Sequence, residues 1–134
     1  MIPRRRKQPK MGVREETRFR SEPYKQWVRG FPCSVADKPS AQRVIKCHGG
    51  IEAAHVQADD RVPYEERSAG SIKAGDNWTY PLCVHHHHAA HSMGHSKFDA
   101  MFGIDRVKIA LSLWNHPGNR HRIKWEQRKE RSNG

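Results

Sequence analysis

The chain has 134 residues, a formal net charge of +11 and 35% hydrophobic residues. This length fits one domain with tails, and the low hydrophobic fraction predicts a modest core that a bound metal would stabilise. No apolar run is long enough for a membrane span or a signal sequence, and the odd number of cysteines, three, argues against a framework built only of disulfides. We therefore expect a cytoplasmic protein that contacts no membrane, with reduced or metal-bound thiols.

The excess positive charge lies at the two ends of the chain. Residues 1–30 contain 10 Lys/Arg against 3 acidic residues, residues 115–134 contain 6 against 2, and residues 31–114 contain 9 of each sign. Basic arms bind polyanions by releasing counterions, with little sequence preference. We expect residues 1–20 to be a flexible arm that binds nucleic acid through Arg4, Arg5, Arg6, Lys7 and Lys10. A tail that only improves solubility is the alternative.

The first predicted helix begins near Pro23, a residue suited to a first helical turn. Its apolar face is formed by Tyr24, Trp27 and Val28, and Gly30 ends it. A turn-rich stretch, residues 31–50, follows and carries Cys33 and Cys47.

Two short strands are predicted next, at residues 51–56 and 78–80, separated by a long polar connection. The first ends at His55 and the second leads into Pro81 and a histidine-rich helix that Gly94 breaks. A further helix is predicted with Asp105 as its N-cap, ending before Pro117. Its apolar face is expected to consist of Val107, Ala110, Leu111 and Trp114.

The segment of residues 81–91 carries one cysteine and five histidines. Cys83 and His86 have the C-x-x-H spacing of a tight metal-binding turn, and His87 and His91, at i and i+4, lie on one face of a helix. The segment therefore predicts a structural metal at the turn and a second metal on the helix. The alternatives are a sequence like an affinity tag, which its position in mid-chain argues against, and a loosely metal-binding tract without catalytic purpose.

In their order along the chain, these residues resemble the HNH (ββα-metal) endonucleases, in particular the small phage and prophage group related to the Ref recombination-enhancing nuclease. The resemblance covers residues 21–115 and rests on Cys33, on Cys47, on Ala54-His55, and on Pro81-Leu82-Cys83 followed by His86-His87 and His91. It implies an α+β fold, a small ββα-metal finger with flanking helices, between the basic arm of residues 1–20 and a basic tail of residues 116–134. We expect both arms to be disordered.

The resemblance also implies metal-dependent hydrolysis of DNA phosphodiester bonds with low sequence specificity, in recombination or DNA processing. His55 suits the general base because an imidazole titrates near neutral pH. His87 and His91 would hold the catalytic divalent ion (Mg²⁺, Mn²⁺, Ni²⁺ or Zn²⁺), and Lys73 would contact the phosphate. The family's middle Asn falls near Asn77, with Asp76 an equal candidate to orient His55. A zinc-stapled nucleic-acid-binding module without catalysis is the alternative function.

The structural zinc is assigned to Cys33, Cys47, Cys83 and His86. Alternatives are that Cys33 and Cys47 are core thiols, or that His48 or His85 replaces one ligand. Two departures from the family accompany this assignment. Ala36 stands where many relatives have a second knuckle cysteine, and Ala54 stands where many relatives have a metal ligand. Water, phosphate or a carboxylate from Asp59, Asp60 or Asp76 would then complete the catalytic ion's coordination.

Overall fold

The computed structural model describes residues 18–57, 59–70 and 72–133. In this part of the chain a two-stranded sheet is combined with six α-helices and one short 3₁₀-helix, which makes the fold mixed α+β. The elements are α1 (Glu22–Val28), α2 (Pro39–Arg43), β1 (Ile51–His55), the 3₁₀-helix (Tyr64–Glu66), β2 (Thr79–Cys83), α3 (Val84–Met93), α4 (His95–Phe102), α5 (Arg106–Trp114) and α6 (His121–Asn133).

The sheet is an antiparallel hairpin that leads directly into α3. Ile51 lies opposite Cys83 and His55 lies opposite Thr79, so the predicted first strand is confirmed. The second strand is longer than predicted, because it continues through Pro81 to Cys83. A proline lacks the N–H that a central strand must donate, but each strand of a two-stranded sheet has one edge that needs no partner. All five residues of β2 are buried, since helices contact the sheet on both faces.

Side chains cap the starts of α1 and α5, and at α5 the capping residue is the predicted Asp105. The Ser21 hydroxyl accepts a hydrogen bond from the backbone N–H of Tyr24, and the Asp105 carboxylate accepts from the N–H groups of the first turn of α5. The predicted apolar face of α5 is wrong at one position. Leu113 is buried at 7% exposure, whereas Leu111 is 39% exposed.

The described parts of the two terminal segments are ordered, although the charge distribution predicted disordered arms. Phe19 is 7% exposed and packs edge-on against Trp125, with ring centroids 5.3 Å apart. Residues 18–20 are therefore part of the fold, and α6 replaces most of the expected disordered C-terminal tail. The physical reason is that aromatic burial between the two ends outweighs the repulsion of their basic side chains. The predicted nucleic-acid-binding residues of the N-terminal arm, from Arg4 to Lys10, lie outside the described residues.

Two apolar clusters form the core. The larger one lies between the hairpin and helices α3 to α5 and includes Tyr80, Leu82 and Phe98. The smaller one joins Phe19 to α1 and α5. None of the helices in the described part of the chain has the length and apolar character needed to cross a bilayer.

Candidate metal centre and histidine dyad

Three thiols and one imidazole converge from three separate segments of the chain. Cys33 lies in the turn after α1, Cys47 precedes β1, Cys83 ends β2, and His86 is in the first turn of α3. Their ligand atoms all lie within 4.8 Å of one another, and every member except Cys47 is buried. The structure therefore brings together the four predicted ligands of the structural site. One ion could contact all three sulfur atoms, so the fold favours a metal site over unrelated core thiols.

The distances in this cluster fit a tetrahedral ion. The Nδ1 atom of His86 lies 3.6, 3.5 and 3.2 Å from the sulfur atoms of Cys33, Cys47 and Cys83. Metal–sulfur bonds of about 2.3 Å and metal–nitrogen bonds of about 2.0 Å give a sulfur–nitrogen separation of roughly 3.6 Å in a tetrahedron. The other ring nitrogen, Nε2, is 2.7 Å from the carbonyl oxygen of Ile45 and donates to it. This hydrogen bond fixes the tautomer that leaves Nδ1 available to a metal.

The protonation of the cluster also suits a metal ligand set. Burial lowers the pKa of His86, which favours the neutral, ligating imidazole. Burial raises the pKa of Cys83, but the backbone N–H groups of His86 and His48 donate to its sulfur and lower the pKa overall. Desolvation and the nearby sulfur charges raise the pKa of Cys47 to about 12, although the residue as a whole is exposed. The Cys83 thiol therefore loses its proton more easily than that of Cys47, and a bound cation would supply the charge that stabilises all three thiolates.

The two alternative ligands lie outside this set. His85 directs its Nδ1 to the carbonyl oxygen of Lys46 at 2.8 Å, and His48 contributes backbone groups. Neither side chain belongs to the group of converging ligand atoms.

A second pair of histidines lies on the exposed side of α3. The Nε2 atoms of His87 and His91 are 3.2 Å apart, close to the roughly 3.3 Å expected for two imidazoles on one tetrahedral ion. Sequence reasoning missed the residue that positions them. Glu52, on β1, lies 2.7 Å from Nδ1 of His87 and accepts its hydrogen bond, which leaves Nε2 for a metal. No local motif marks Glu52, because the contact depends on how α3 packs on the hairpin.

The general-base candidate is paired with a carboxylate. Nε2 of His55 lies 2.8 Å from Oδ1 of Asp76, and both side chains are nearly buried. Asp76 is held in turn by the backbone N–H of Ser21 at 2.8 Å. Burial raises the pKa of Asp76, but hydrogen bonds from His55 and Ser21 and the charge of Lys25 lower it overall. Asp76 is therefore ionised and positioned to orient the imidazole.

Of the two candidates to orient His55, Asp76 is the one hydrogen-bonded to it, whereas the amide nitrogen of Asn77 lies 3.4 Å from Glu66. The reason is that consecutive residues of this turn point in different directions, so the carboxylate and not the amide reaches the imidazole.

The dyad of His55 and Asp76 lines an open pocket of about 510 Å³. Three cationic side chains, Arg20, Lys25 and the predicted phosphate contact Lys73, also line it and outnumber its carboxylates, Glu22 and Asp76. Arg20 is held there by hydrogen bonds to the carbonyl oxygens of Lys73 and Ala74 at 2.8 and 2.7 Å. Such a pocket favours an anion next to an imidazole.

The pair of His87 and His91 is linked to β1 through Glu52, whereas the dyad of His55 and Asp76 lies at the end of that strand. No hydrogen bond or ion pair joins His55 to His87 or His91 in the described ranges. Asp59, one carboxylate considered for the ion, pairs instead with Arg61 at 2.9 Å.

No protein-family model, curated protein or solved structure matches this chain. The function is therefore argued from the side chains themselves.

Proposed function

We propose that the protein is a metal-dependent endonuclease that hydrolyses DNA phosphodiester bonds with low sequence specificity. The observation that carries this proposal is the hydrogen-bonded pair of His55 and Asp76 in a pocket lined by Arg20, Lys25 and Lys73. Hydrolysis of a phosphodiester needs a base for the attacking water and positive charge around the phosphate, and this pocket offers both.

In this mechanism His55 accepts the proton of the attacking water at Nδ1. Its Nε2–H is held by Asp76, which orients the ring and stabilises the imidazolium that forms. Lys73 and Arg20 bind the non-bridging oxygens of the scissile phosphate and offset the charge that develops on them.

His87 and His91 are the residues proposed to hold the catalytic divalent ion. Glu52 fixes the orientation of His87, and burial lowers the pKa of His91, which favours the neutral, ligating form of that ring. A bound divalent ion would act as a Lewis acid on the phosphate and the leaving oxygen. The pair of His87 and His91 and the dyad of His55 and Asp76 would act together only on a bound substrate. Loss of either should therefore remove cleavage.

The cluster of Cys33, Cys47, Cys83 and His86 is proposed to hold a structural Zn²⁺. Three thiolates and one imidazole in tetrahedral spacing form a closed site without a position for substrate. The ion would tie the loops that follow α1 and α2 to the start of α3, next to the hairpin that carries His55.

The experiment is a plasmid-nicking assay on protein purified without a nickel column, with Mg²⁺, Mn²⁺, Ni²⁺, Co²⁺ or Zn²⁺ added in turn. His55→Ala is expected to abolish cleavage, and Asp76→Asn to reduce it by about 10²-fold or more, on the scale of losing an orienting carboxylate. His88→Ala is the matched control, because His88 is an exposed histidine of α3 outside both groups. Equal cleavage by the His55→Ala and His88→Ala variants would exclude His55 as the base.

A second function is favoured by one feature of β1. Ala54 stands before His55, is 1% exposed and carries no ligand atom, so the pair of His87 and His91 gains no further ligand from this position. A zinc-stapled nucleic-acid-binding module without catalysis would need no further metal ligand. Wild-type protein that binds DNA and nicks it with none of the five metals would establish this second function.

A further inference from the structure

An aromatic cavity lies beside the His55 pocket. Both are lined by the chain segments around Phe19 and Asn77. It has a volume of about 250 Å³, and its walls include Phe19, Trp78, Trp114 and Trp125. Phe19 and Trp78 are both nearly buried, at 7% and 6% exposure. Phe19 packs edge-on against Trp114 and Trp125, with ring centroids 5.0 and 5.3 Å away, and Trp78 forms another wall. Planar faces of this kind are the surfaces on which unstacked bases lie.

The polar groups of the cavity are hydrogen-bond acceptors. Glu66 accepts from the indole N–H of Trp78 at 2.7 Å and from Asn77 at 3.4 Å, and Glu126 also lines the cavity. The side-chain oxygen of Asn77 is buried and has no hydrogen-bond partner in the described part of the chain. Carboxylates repel a phosphate but accept from an exocyclic amino group, as in recognition of cytosine.

We propose that this cavity binds one unstacked, amino-bearing nucleobase of a single-stranded nucleic acid. The aromatic rings supply the stacking surface and the acidic side chains accept the base's amino hydrogens. The ligand class follows from this combination, because an apolar peptide side chain would leave the buried Asn77 oxygen unpaired.

The location of the cavity suits a strand that also occupies the cationic pocket. Phe19 and Asn77 line the cavity, and their chain neighbours Arg20 and Asp76 line the His55 pocket. The two segments are joined by a hydrogen bond from the N–H of Asp76 to the carbonyl oxygen of Phe19 at 2.7 Å. The inference therefore rests on the proposed function and names its substrate form as single-stranded DNA or an unpaired region.

The surface around the cavity carries cations for a nucleic-acid backbone. The guanidinium of Arg128 lies 5.7 Å from the centroid of the Trp125 ring, and Arg122 lies on the same helix, α6. The arrangement pairs base stacking with backbone neutralisation, the combination used for single strands.

The test fills the cavity without removing a wall. Leu111 lines the cavity and is 39% exposed, so Leu111→Trp can place an indole in it. Ile123→Trp is the control, since Ile123 is 56% exposed on α6 and does not line the cavity. Binding of fluorescent oligo-dC is measured by anisotropy without added divalent ions, so cleavage is not needed. We expect Leu111→Trp to weaken binding about tenfold and Ile123→Trp to leave it within about twofold, from the contribution of one stacked base.

A second measurement needs no variant. Quenching of wild-type tryptophan fluorescence is compared between oligo-dC, oligo-dT and an abasic oligomer of equal length. Quenching in the order dC, then dT, with none from the abasic oligomer supports the inference. Equal quenching by all three, or equal affinities of the two tryptophan variants, would overturn it. Base-dependent binding without nicking would support the cavity and count against the nuclease, whereas nicking without base dependence would do the reverse.

Discussion

Loss of one ligand of the Cys₃His cluster should destabilise the whole fold. Cys47→Ser is the informative change, because Cys47 is the exposed member of the cluster. Its packing contribution is small, since surface substitutions change stability by no more than about 0.5 kcal/mol. Any larger effect therefore reports the loss of a metal ligand.

The expected magnitude follows from the linkage between metal binding and folding. If three remaining ligands bind zinc about a thousandfold more weakly, the folded state loses about 4 kcal/mol. That is a large part of the roughly 5–15 kcal/mol that stabilises a typical domain. For a chain of this size it corresponds to a fall in Tm of on the order of 15 °C.

The assay combines elemental analysis with thermal unfolding, both on protein purified without a metal column. Wild type is expected to contain one zinc per chain and to lose its high Tm when a strong chelator is added. His48→Ala is the matched control, because its side chain lies beside Cys47 in sequence but outside the cluster. If the Cys47→Ser protein retains one zinc and has the same Tm as the His48→Ala protein, the proposed structural site is refuted.

Two further predictions concern charge. Arg106 is 3% exposed and pairs with Asp99 at 2.8 Å and with Asp59 at 3.5 Å, so Asp99→Asn leaves a buried cation poorly compensated and should cost about 3–5 kcal/mol in urea unfolding. Glu65→Gln, at an exposed acidic residue, is its control, and equal stability of the two proteins would contradict the prediction. DNA affinity should fall steeply with salt, and deletion of residues 1–17 should lower the slope of log affinity against log salt by about 0.9 for each phosphate that the arm neutralises. An unchanged slope would show that this arm does not bind the backbone.

Local features of this chain were predictable from the residues alone. Ser21 and Asp105 cap helices because their side chains satisfy backbone N–H groups a few residues away. Short spacings likewise bring ligand atoms together within about one helical turn, as for Cys83 with His86 and His87 with His91. Such interactions act over short stretches, so their outcome does not depend on the path of the rest of the chain.

The ends of the chain show where composition misleads. Basic residues surround Phe19 and Trp125, and their density predicted disordered arms. Burial of those two rings against each other depends on segments more than a hundred residues apart, which no window of sequence reveals. For the same reason Leu113 and not Leu111 faces the core, because the neighbours of α5 decide which part of its apolar face is covered.

The sequence by itself determined the chemical inventory of this protein: the four ligands of the structural site, the histidine pair on α3, His55 at a strand end, and the positive charge of the termini. Tertiary structure decided the partners of those groups. It placed Asp76 and not Asn77 against His55 and brought Glu52 to His87. The physical reason is that residue type and spacing fix what a side chain can bind, whereas long-range packing fixes which side chains meet.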